Sequence, residues 1–581
     1  MSPWRALARL ARYKLWLYLA SGLLASVMFY LIPLLPGLVM RRFFDRLVGK
    51  VPESADWVLA LLVGIAVARA AQLMAAGLAE NSLRIVAATL VRANLLERIL
   101  QRPGARALPS SPGEALSRFR DDVEAVVNFL SWTLDPLGQV IVVATAVGVL
   151  ARAYPGFTLA VFVPLVAVLA VVNLATRRLR AYRRASREAA GAVSDLLGEA
   201  LGAVTAIQVA GAEPAVVARL RSLNAARRNT ALKDQLLGAT LGGLAHNAAS
   251  IGTAALLLVA AQSMRTGGFS VGDFALFVSY MDWIANVVGM FGFYLTQYRQ
   301  TGVSLERLAD LMAGAPPADL VRHRPVYLWG APPPPMPAPE PGPPLQSLAV
   351  EGLTYRHPGA ERGVDGVTFT LRRGSFTVIA GEVGAGKTTL LRALLGLVPP
   401  DAGTVRWNGA ALGDPAAFLV PPRCAYTPQV PRLFSESLRE NILLGLPVDA
   451  ADLATALHAA VLEDDVAGFP AGLDTQLGPR GTRLSGGQLQ RVAAARMFVR
   501  DPDLLVFDDL SSALDVDTEA RLWERVFARG GATCLVVSHR RAALRRADEI
   551  LLLDGGRIVA RGRLDDLLAA SPLMRRLISP R

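Results

Sequence analysis

Cysteine and charged residues are scarce in this chain of 581 residues. The two cysteines, Cys424 and Cys534, have no neighbours at metal-ligand spacing, so the sequence predicts no cysteine-based metal site. Charged residues make up 19% of the chain and hydrophobic residues 52%, and the mean hydropathy is +0.36. This balance is unlike that of a soluble enzyme. The length alone predicts about three or four domain-sized units.

The apolar excess lies in the first half of the chain, as six runs long enough to cross a bilayer, which takes about 20 residues in a helix. The runs cover residues 16–40, 57–79, 126–151, 156–176, 236–262 and 271–297. Their number and length argue against buried helices of a soluble bundle. The first run is too long for the core of a cleaved signal, and no small-residue cleavage site follows it cleanly. We therefore expect a membrane domain with six spans.

Basic residues predict the orientation of these spans. Four of them precede the first run: Arg5, Arg9, Arg12 and Lys14. Positive charge before the first span places the N-terminus inside, and the long connections after spans two and four, which are rich in arginine, are then also inside. The loop after span one departs weakly from this rule, with Arg41, Arg42, Arg46 and Lys50. The net charge of +13 is assigned to these inner loops and an anionic lipid surface, not to nucleic acid.

Asp282, Asp135 and His246 are candidates for functional ionisable residues inside the predicted spans. An ionisable group within a membrane helix is costly, so it faces a cavity or a partner unless it lies near enough to the surface to be hydrated. Asp282 is the strongest of the three candidates for a residue of the transport pathway.

The second half carries a phosphate-binding loop. Residues Gly381, Glu382, Val383, Gly384, Ala385, Gly386, Lys387 and Thr388 fit the pattern G-x-x-x-x-G-K-[ST] without a mismatch. The loop follows a β-rich apolar run and precedes a helix-forming run that starts at Thr389. Backbone N–H groups of such a loop cradle phosphates, Lys387 reaches the terminal phosphates, and the Thr388 hydroxyl binds Mg²⁺. The sequence predicts ATP and Mg²⁺ as ligands.

Two further motifs support nucleotide chemistry. Asp508 ends the hydrophobic run Leu504–Phe507, the position from which a carboxylate can hold the metal through water. Ser485 occupies a predicted helix N-cap, followed by Gly486, Gly487 and Gln488. A serine and the free N–H groups of a helix N-terminus form an anion site.

These motifs, in this order, resemble the ATP-binding-cassette (ABC) family. The resemblance implies an α/β P-loop NTPase domain in which Ser485 and its neighbours act on ATP held by a second, facing domain. It implies that Gln429 senses the metal at the domain contact, that Ser512–Asp515 is the D-loop, and that His539 contacts the γ-phosphate. Thr389 extends the phosphate site. A lone histidine at a strand end would otherwise be a polar terminus.

The sequence departs from the family pattern at three places. The residue after Asp508 is commonly a glutamate that orients the attacking water, and here it is Asp509, which is one methylene shorter. Either Asp509 works after a small backbone adjustment, or this site hydrolyses ATP slowly and mainly holds it. The aromatic that stacks on adenine is replaced by His357, with Tyr355 two positions earlier. Pro479 stands where exporters of the family commonly have glutamate.

The resemblance extends to the arrangement of the whole chain as an exporter-type half-transporter. We expect a membrane domain at 1–311, a proline-rich linker at 312–346 and an ATP-binding domain at 347–581. Segments 102–112 and 208–213 resemble the coupling helices of exporters. Surface-exposed helices with scattered charges would give a similar sequence pattern.

Each ATP needs the loop of one subunit and the signature of another, so the expected working unit is a dimer. A heterodimer is favoured over a homodimer because Asp509 and His357 are weakened while the signature is intact. The expected setting is a bacterial cell membrane, with export or flipping of a substrate that the sequence leaves open among lipid, drug, peptide and siderophore. A membrane-anchored ABC ATPase that senses or regulates without transport is the alternative. The six spans argue against a soluble ABC ATPase acting on DNA or ribosomes.

Overall fold

The computed structural model divides the chain into two compact units. Unit 1 comprises Met1–Arg98 with Ser110–Gly330, and unit 2 comprises Ile99–Pro109 with Ala331–Arg581. The residues described are 2–49, 55–102, 108, 111–265, 268–312, 314–330, 332–334, 342–359, 363–478, 481, 484–511, 513–528 and 530–578. The predicted coupling segment at 102–112, Pro479 and Ser512 fall wholly or largely outside them. The side chains of Asp282 and His246 are also outside the description.

Unit 1 is mostly helical over its described residues up to Met312. Its helices are α1 (Pro3–Tyr13), α2 (Leu15–Ser21), α3 (Phe29–Leu31), α4 (Leu34–Leu47), α5 (Ala55–Leu100), α6 (Pro112–Ser117), α7 (Val123–Ser131), α8 (Asp135–Ala153), α9 (Pro155–Gly202), α10 (Val204–Val209), α11 (Glu213–His246), α12 (Ala248–Arg265) and α13 (Val271–Met312). Two π-helical segments, Gly22–Met28 and Arg118–Asp122, and the 3₁₀ turn Asp319–Val321 complete it. Apolar runs become helices in a bilayer because a helix satisfies its own backbone hydrogen bonds.

The six predicted spans lie mainly on helical backbone, with short turns inside the first, third and fifth. Among the described residues, Leu15–Leu47, Asp56–Leu100 and Pro112–Arg152 are long and apolar enough to cross a membrane, and they contain the first three runs. The other three runs lie in α9, in α11 with α12, and in α13. Helices α5 and α9 have 46 and 48 residues, so each is about 70 Å long. That exceeds the roughly 30 Å hydrocarbon core, in keeping with helices that continue beyond it.

Polar contacts fix the segment that follows α13 to the rest of unit 1. The Asn94 side chain donates to the carbonyls of Leu320 and Arg322 at 3.1 and 2.9 Å, and the Tyr13 hydroxyl donates to the Arg324 carbonyl at 2.6 Å. Leu320 and Val321 are each 1% exposed. Compact packing therefore continues to Gly330, into a region that the sequence assigns to the linker.

The basic residues after the first span have acidic partners. Arg41 pairs with Asp273 at 2.8 Å and with Asp45 at 3.8 Å. Asp273 also accepts hydrogen bonds from the Tyr154 hydroxyl and the Ser270 amide. The Arg41 charge is thus paired with carboxylates within unit 1.

Unit 2 contains two sheets. Its strands are β1 (Ser347–Arg356), β2 (Gly363–Arg372), β3 (Phe376–Ala380), β4 (Ala402–Trp407), β5 (Ala410–Ala411), β6 (Cys424–Thr427), β7 (Leu504–Asp508), β8 (Thr533–Val537), β9 (Glu549–Asp554) and β10 (Arg557–Gly562). One sheet has the order β10-β9-β3-β8-β7-β6, with parallel pairing from β9 to β6, and the other is antiparallel with the order β2-β1-β4-β5. Strands β3, β7 and β8 are buried at every position, as expected for a parallel sheet covered on both faces.

Helices cover the parallel sheet of unit 2. They are α14 (Lys387–Leu394), α15 (Pro415–Phe418), α16 (Leu438–Leu443), α17 (Ala450–Ala459), α18 (Glu463–Gly468), α19 (Gly486–Phe498), α20 (Val516–Ala528), α21 (Arg541–Arg546), α22 (Leu564–Ala570) and α23 (Pro572–Ile578). The carboxyl ends of β3, β7 and β8 meet at one edge, where ligands of open α/β sheets bind. The candidate site lies there.

Candidate nucleotide-binding site

The phosphate-binding loop joins β3 to α14, the strand–loop–helix context that its chemistry requires. Gly386 caps α14 with a φ of 98°, a conformation that favours glycine, and a Cβ there would lie 2.9 Å from the Gly363 carbonyl oxygen. Helix α14 begins at Lys387, two residues earlier than the sequence predicts. The helix N-terminus therefore points its free N–H groups at the loop.

Lys387 lies across this loop. Its ammonium donates to the carbonyls of Gly381 and Glu382 at 2.7 and 2.8 Å. Burial lowers the pKa of Lys387, while the charges of Asp509 and Asp508 act in the opposite direction. The positive charge is thus held beside the two carboxylates, within reach of phosphates bound by the loop.

Asp508 ends β7 and is 1% exposed. Its carboxylate accepts hydrogen bonds from the Thr388 hydroxyl at 3.1 Å and from the Tyr426 hydroxyl at 3.4 Å. Burial raises the pKa of Asp508, and the bond from Thr388 opposes that rise. The two predicted metal residues, Thr388 and Asp508, are therefore in direct contact.

Asp509 stands one residue beyond the end of β7. Its backbone has a φ of 58°, which aspartate tolerates better than most residues, and its amide donates to the Val537 carbonyl at 3.1 Å. Burial raises the pKa of Asp509, His539 lowers it, Asp508 raises it, and a hydrogen bond with the Gln429 side chain lowers it. His539 and Gln429 thus both act on the Asp509 carboxylate, and the three predicted catalytic residues are close together.

The signature segment starts α19 as the sequence predicts. Ser485 is the N-cap, its hydroxyl accepts from the Gln488 amide at 3.2 Å, and the Gln488 side chain accepts from the Ser485 amide at 2.9 Å. This is a capping box. A Cβ on Gly487 would lie 3.0 Å from the Ala513 carbonyl oxygen, so Gly487 permits a close approach by the D-loop.

The adenine-side residues have different exposures. Tyr355 is 3% exposed and packs in the core, and its ring meets the His357 ring edge to face at 5.1 Å. His357 is exposed, and its Nε2 lies 3.2 Å from the Thr389 hydroxyl. Of this pair, His357 has the exposed ring, and the buried Tyr355 packs against it.

Sequence reasoning missed three residues that support the site. Tyr426, whose hydroxyl donates to Asp508, stands three residues before Gln429 on the strand that pairs with β7. Gln490 donates to the Gln429 carbonyl at 2.8 Å, and Asp465 accepts from the Gln488 side chain at 2.9 Å. Strand alternation could have indicated Tyr426, but the Asp465 contact spans 23 residues and no local pattern predicts it.

The donor set fits Mg²⁺. Thr388, Asp508 and Gln429 offer a hydroxyl, a carboxylate and an amide oxygen, the hard oxygen ligands that this ion prefers. Among the residues that the structure describes, no group of three or more His, Cys, Asp and Glu side chains could hold a metal alone. A site with one or two carboxylates suits Mg²⁺ that is also held by nucleotide phosphates.

Two family models match the chain. The model of the ABC transporter transmembrane region matches residues 15–286, and the model described as ABC transporter matches residues 364–512. Both lie in one polypeptide.

Curated relatives and a solved structure cover most of the chain. An ATP-dependent lipid A-core flippase of Bordetella pertussis is 28% identical over 490 residues, 83% of this chain and 76% of that protein. One of Thiobacillus denitrificans is 26% identical over 545 residues, 92% and 91% of the two chains. A structure titled as a bacterial Atm1-family ABC exporter with ATP bound has a TM-score of 0.70 and 22% identity, covering 96% of this chain and 97% of its own. This last likeness shows the fold.

Proposed function

The chain belongs to the ABC transporter family, and from this premise we propose that it exports or flips a substrate across a bacterial cell membrane, driven by ATP. The observation that carries the proposal is the meeting of Lys387, Thr388, Asp508 and Asp509 at one sheet edge of unit 2, in a chain whose unit 1 is helical and apolar. The flippase relatives support movement of a substrate as the outcome of hydrolysis.

The proposed division of labour follows from the contacts. The loop amides and Lys387 hold the phosphates, and His357 contacts the base. Thr388, Asp508 and Gln429 would hold Mg²⁺, which supplies neutralising charge for the phosphates. Asp509 accepts the proton of the attacking water, while Gln429 and His539 hold the Asp509 carboxylate and the γ-phosphate in place.

We propose that this chain's own site turns over slowly. Compensation for the shorter side chain of Asp509 would require its backbone to shift. That backbone is held against β8, because Asp508 pairs with Val537 and the Asp509 amide donates to the carbonyl of the same residue. A base must lie within about 3 Å of the oxygen whose proton it takes, so a missing methylene is not easily recovered here.

The working unit that we propose is a dimer, with a different half-transporter as the favoured partner. The signature is well built, since Ser485 and Gln488 cap α19 reciprocally. In such a heterodimer, the complete signature of this chain would promote hydrolysis of the ATP bound by the partner. The ATP bound by this chain, beside the weakened base Asp509, would be hydrolysed slowly. A homodimer would carry two weakened sites.

The domain and membrane assignments are part of the proposal. Residues 1–311 form the membrane domain, 312–346 the linker and 347–581 the ATPase. The N-terminus and the ATPase face the cytoplasm. The long helices α5 and α9 support this arrangement, because they reach well beyond a bilayer.

Lys387→Ala tests the proposal in vesicles that contain the assembled transporter. The vesicles are incubated with a small-molecule and lipid extract of the source cell, and compounds accumulated or flipped with ATP are identified by mass spectrometry. ATP should drive accumulation, and Lys387→Ala should remove nucleotide photolabelling of this chain. The control is Lys233→Ala, which changes an exposed lysine of α11. Unchanged photolabelling would refute the assigned site, and ATP hydrolysis without movement of any compound would favour the sensor alternative.

A further inference from the structure

A cavity of about 300 Å³ in unit 1 contains two carboxylates. Its wall combines residues of the first span with residues of α5, α8 and α13. Glu80 comes from α5 and Asp135 from the start of α8. Carboxylates within apolar helices are costly unless they face a cavity or a partner, so their meeting in one cavity calls for a function.

A chain of hydrogen bonds fixes Asp135. Ser26 donates to one of its oxygens at 2.5 Å, and the Tyr30 hydroxyl donates to the other at 3.4 Å. Gln139 in turn donates its amide N–H to the Tyr30 oxygen at 3.1 Å. Glu80 accepts a hydrogen bond from Ser131 at 3.0 Å.

The remaining wall is aromatic. Trp132 and Phe293 line the cavity with ring centroids 5.6 Å apart, and Phe29 and Tyr294 also line it. None of the described lining residues is Lys, Arg or His. Arg69 stacks on the Phe29 ring, but it donates to the Phe29 carbonyl and to Gln72.

The backbone is adapted to bring these groups together. Ser26 lies in the π-helical segment Gly22–Met28, a rare conformation that is frequent at functional sites. A Cβ on Gly138 would lie 2.6 Å from the Ser26 carbonyl oxygen, so glycine lets α8 approach this segment closely. The close approach brings Asp135 within hydrogen-bond distance of Ser26.

We propose that this cavity binds an organic cation, an ammonium or guanidinium group carried by an apolar body. The carboxylates accept the N–H groups or balance the charge, and the aromatic rings attract the cation through their faces. The volume suits a small organic molecule rather than a bare ion. The inference rests on the proposed export function and names the class of its substrate.

Radiolabelled benzyltrimethylammonium, a permanently charged probe, tests the site in the full-length transporter in nanodiscs, with empty nanodiscs subtracted. Binding should saturate and should not be displaced by benzylsulfonate, an anion of similar shape. Asp135→Asn and Glu80→Gln should each weaken binding by at least about tenfold. The control is Asp234→Asn, a carboxylate of α11 paired with Arg183 at 3.7 Å, which should bind as the unmodified protein does.

Non-saturable binding of the probe, or equal binding by all variants, would overturn the inference. Displacement by benzylsulfonate would do the same, because it would show an apolar cavity indifferent to charge. The ATP-driven accumulation assay on the unmodified transporter separates this inference from the proposed export. Cation binding by an unmodified transporter that moves no compound with ATP would refute export alone. Transport of other compounds without cation binding would refute this inference alone.

Discussion

The two units of the chain position their polar groups by different means. In unit 2, the candidate site residues stand at element ends: Lys387 begins α14, Asp508 ends β7, and His539 follows β8. In unit 1, the cavity carboxylates Glu80 and Asp135 lie on separate long helices. A parallel sheet gathers strand ends at one edge, whereas a helical unit gathers polar groups only where helices pack closely. Short sequence motifs therefore identify the candidate site residues of unit 2 but not the cavity residues of unit 1.

The largest expected effect tests whether the signature and the phosphate-binding loop of this chain act on two different ATP molecules. In the assembled transporter, Ser485→Arg in this chain should lower total ATP hydrolysis by at least about 100-fold, because it places a large cation in the signature that completes the partner's site. Lys387→Ala should lower total hydrolysis much less if, as we propose, it affects only a slow site. Steady-state phosphate release measures both. Equal losses would indicate a homodimer with two equivalent sites.

A second comparison concerns Asp509. If its reach limits hydrolysis, Asp509→Glu should raise turnover at this site by about tenfold or more, since a well-placed base contributes roughly 10²–10⁴-fold. Turnover is measured in a transporter whose partner carries an inactivated site. Asp517→Glu, on the exposed side of α20, adds the same methylene away from the site and should change nothing. No gain in Asp509→Glu would mean that the backbone already compensates for the shorter side chain.

The predictability of the two units differs for the same physical reason. The P-loop, the Ser485 cap and the strand that ends at Asp508 follow from residues within a few positions, and the structure forms each of them. The six apolar runs predict helices because a bilayer permits little else. The break of the third run between α7 and α8 and the π segment in the first were not predicted, since they depend on how two helices fit.

Long-range contacts account for what sequence reasoning missed. Gln490 donates to the Gln429 carbonyl, and Gln488 donates to Asp465. Each bond joins two segments that no helix or strand periodicity in the sequence connects. The burial of Tyr355 likewise depends on packing that its neighbours in sequence do not reveal. The cavity of unit 1 belongs to the same class, because only the fold brings Glu80 to Asp135.

A glycine pair in α8 tests whether close packing builds that cavity. Gly138→Ala should destabilise unit 1 by about 1–3 kcal/mol, the usual cost of overpacking, because its Cβ would meet the Ser26 backbone at 2.6 Å. Gly148→Ala has open space and should be neutral or stabilising. Thermal unfolding in detergent, followed by the Trp fluorescence of the full chain, compares them. Equal shifts would mean that the two helices separate freely and that Gly138 has no packing role.

The smallest expected effect concerns the base of the nucleotide. His357 is exposed and supported by the buried Tyr355, so its ring is the one available for stacking. A tyrosine stacks better than an imidazole, by about 0.5–1.5 kcal/mol, so His357→Tyr should tighten ATP binding to this chain by roughly two- to tenfold. His357→Leu, which removes the ring, should weaken binding. Equilibrium titration with a fluorescent ATP analogue, in a transporter whose partner cannot bind nucleotide, measures both. If Tyr and Leu bind alike, the base does not rest on this ring, and His357 serves only its contact with Thr389.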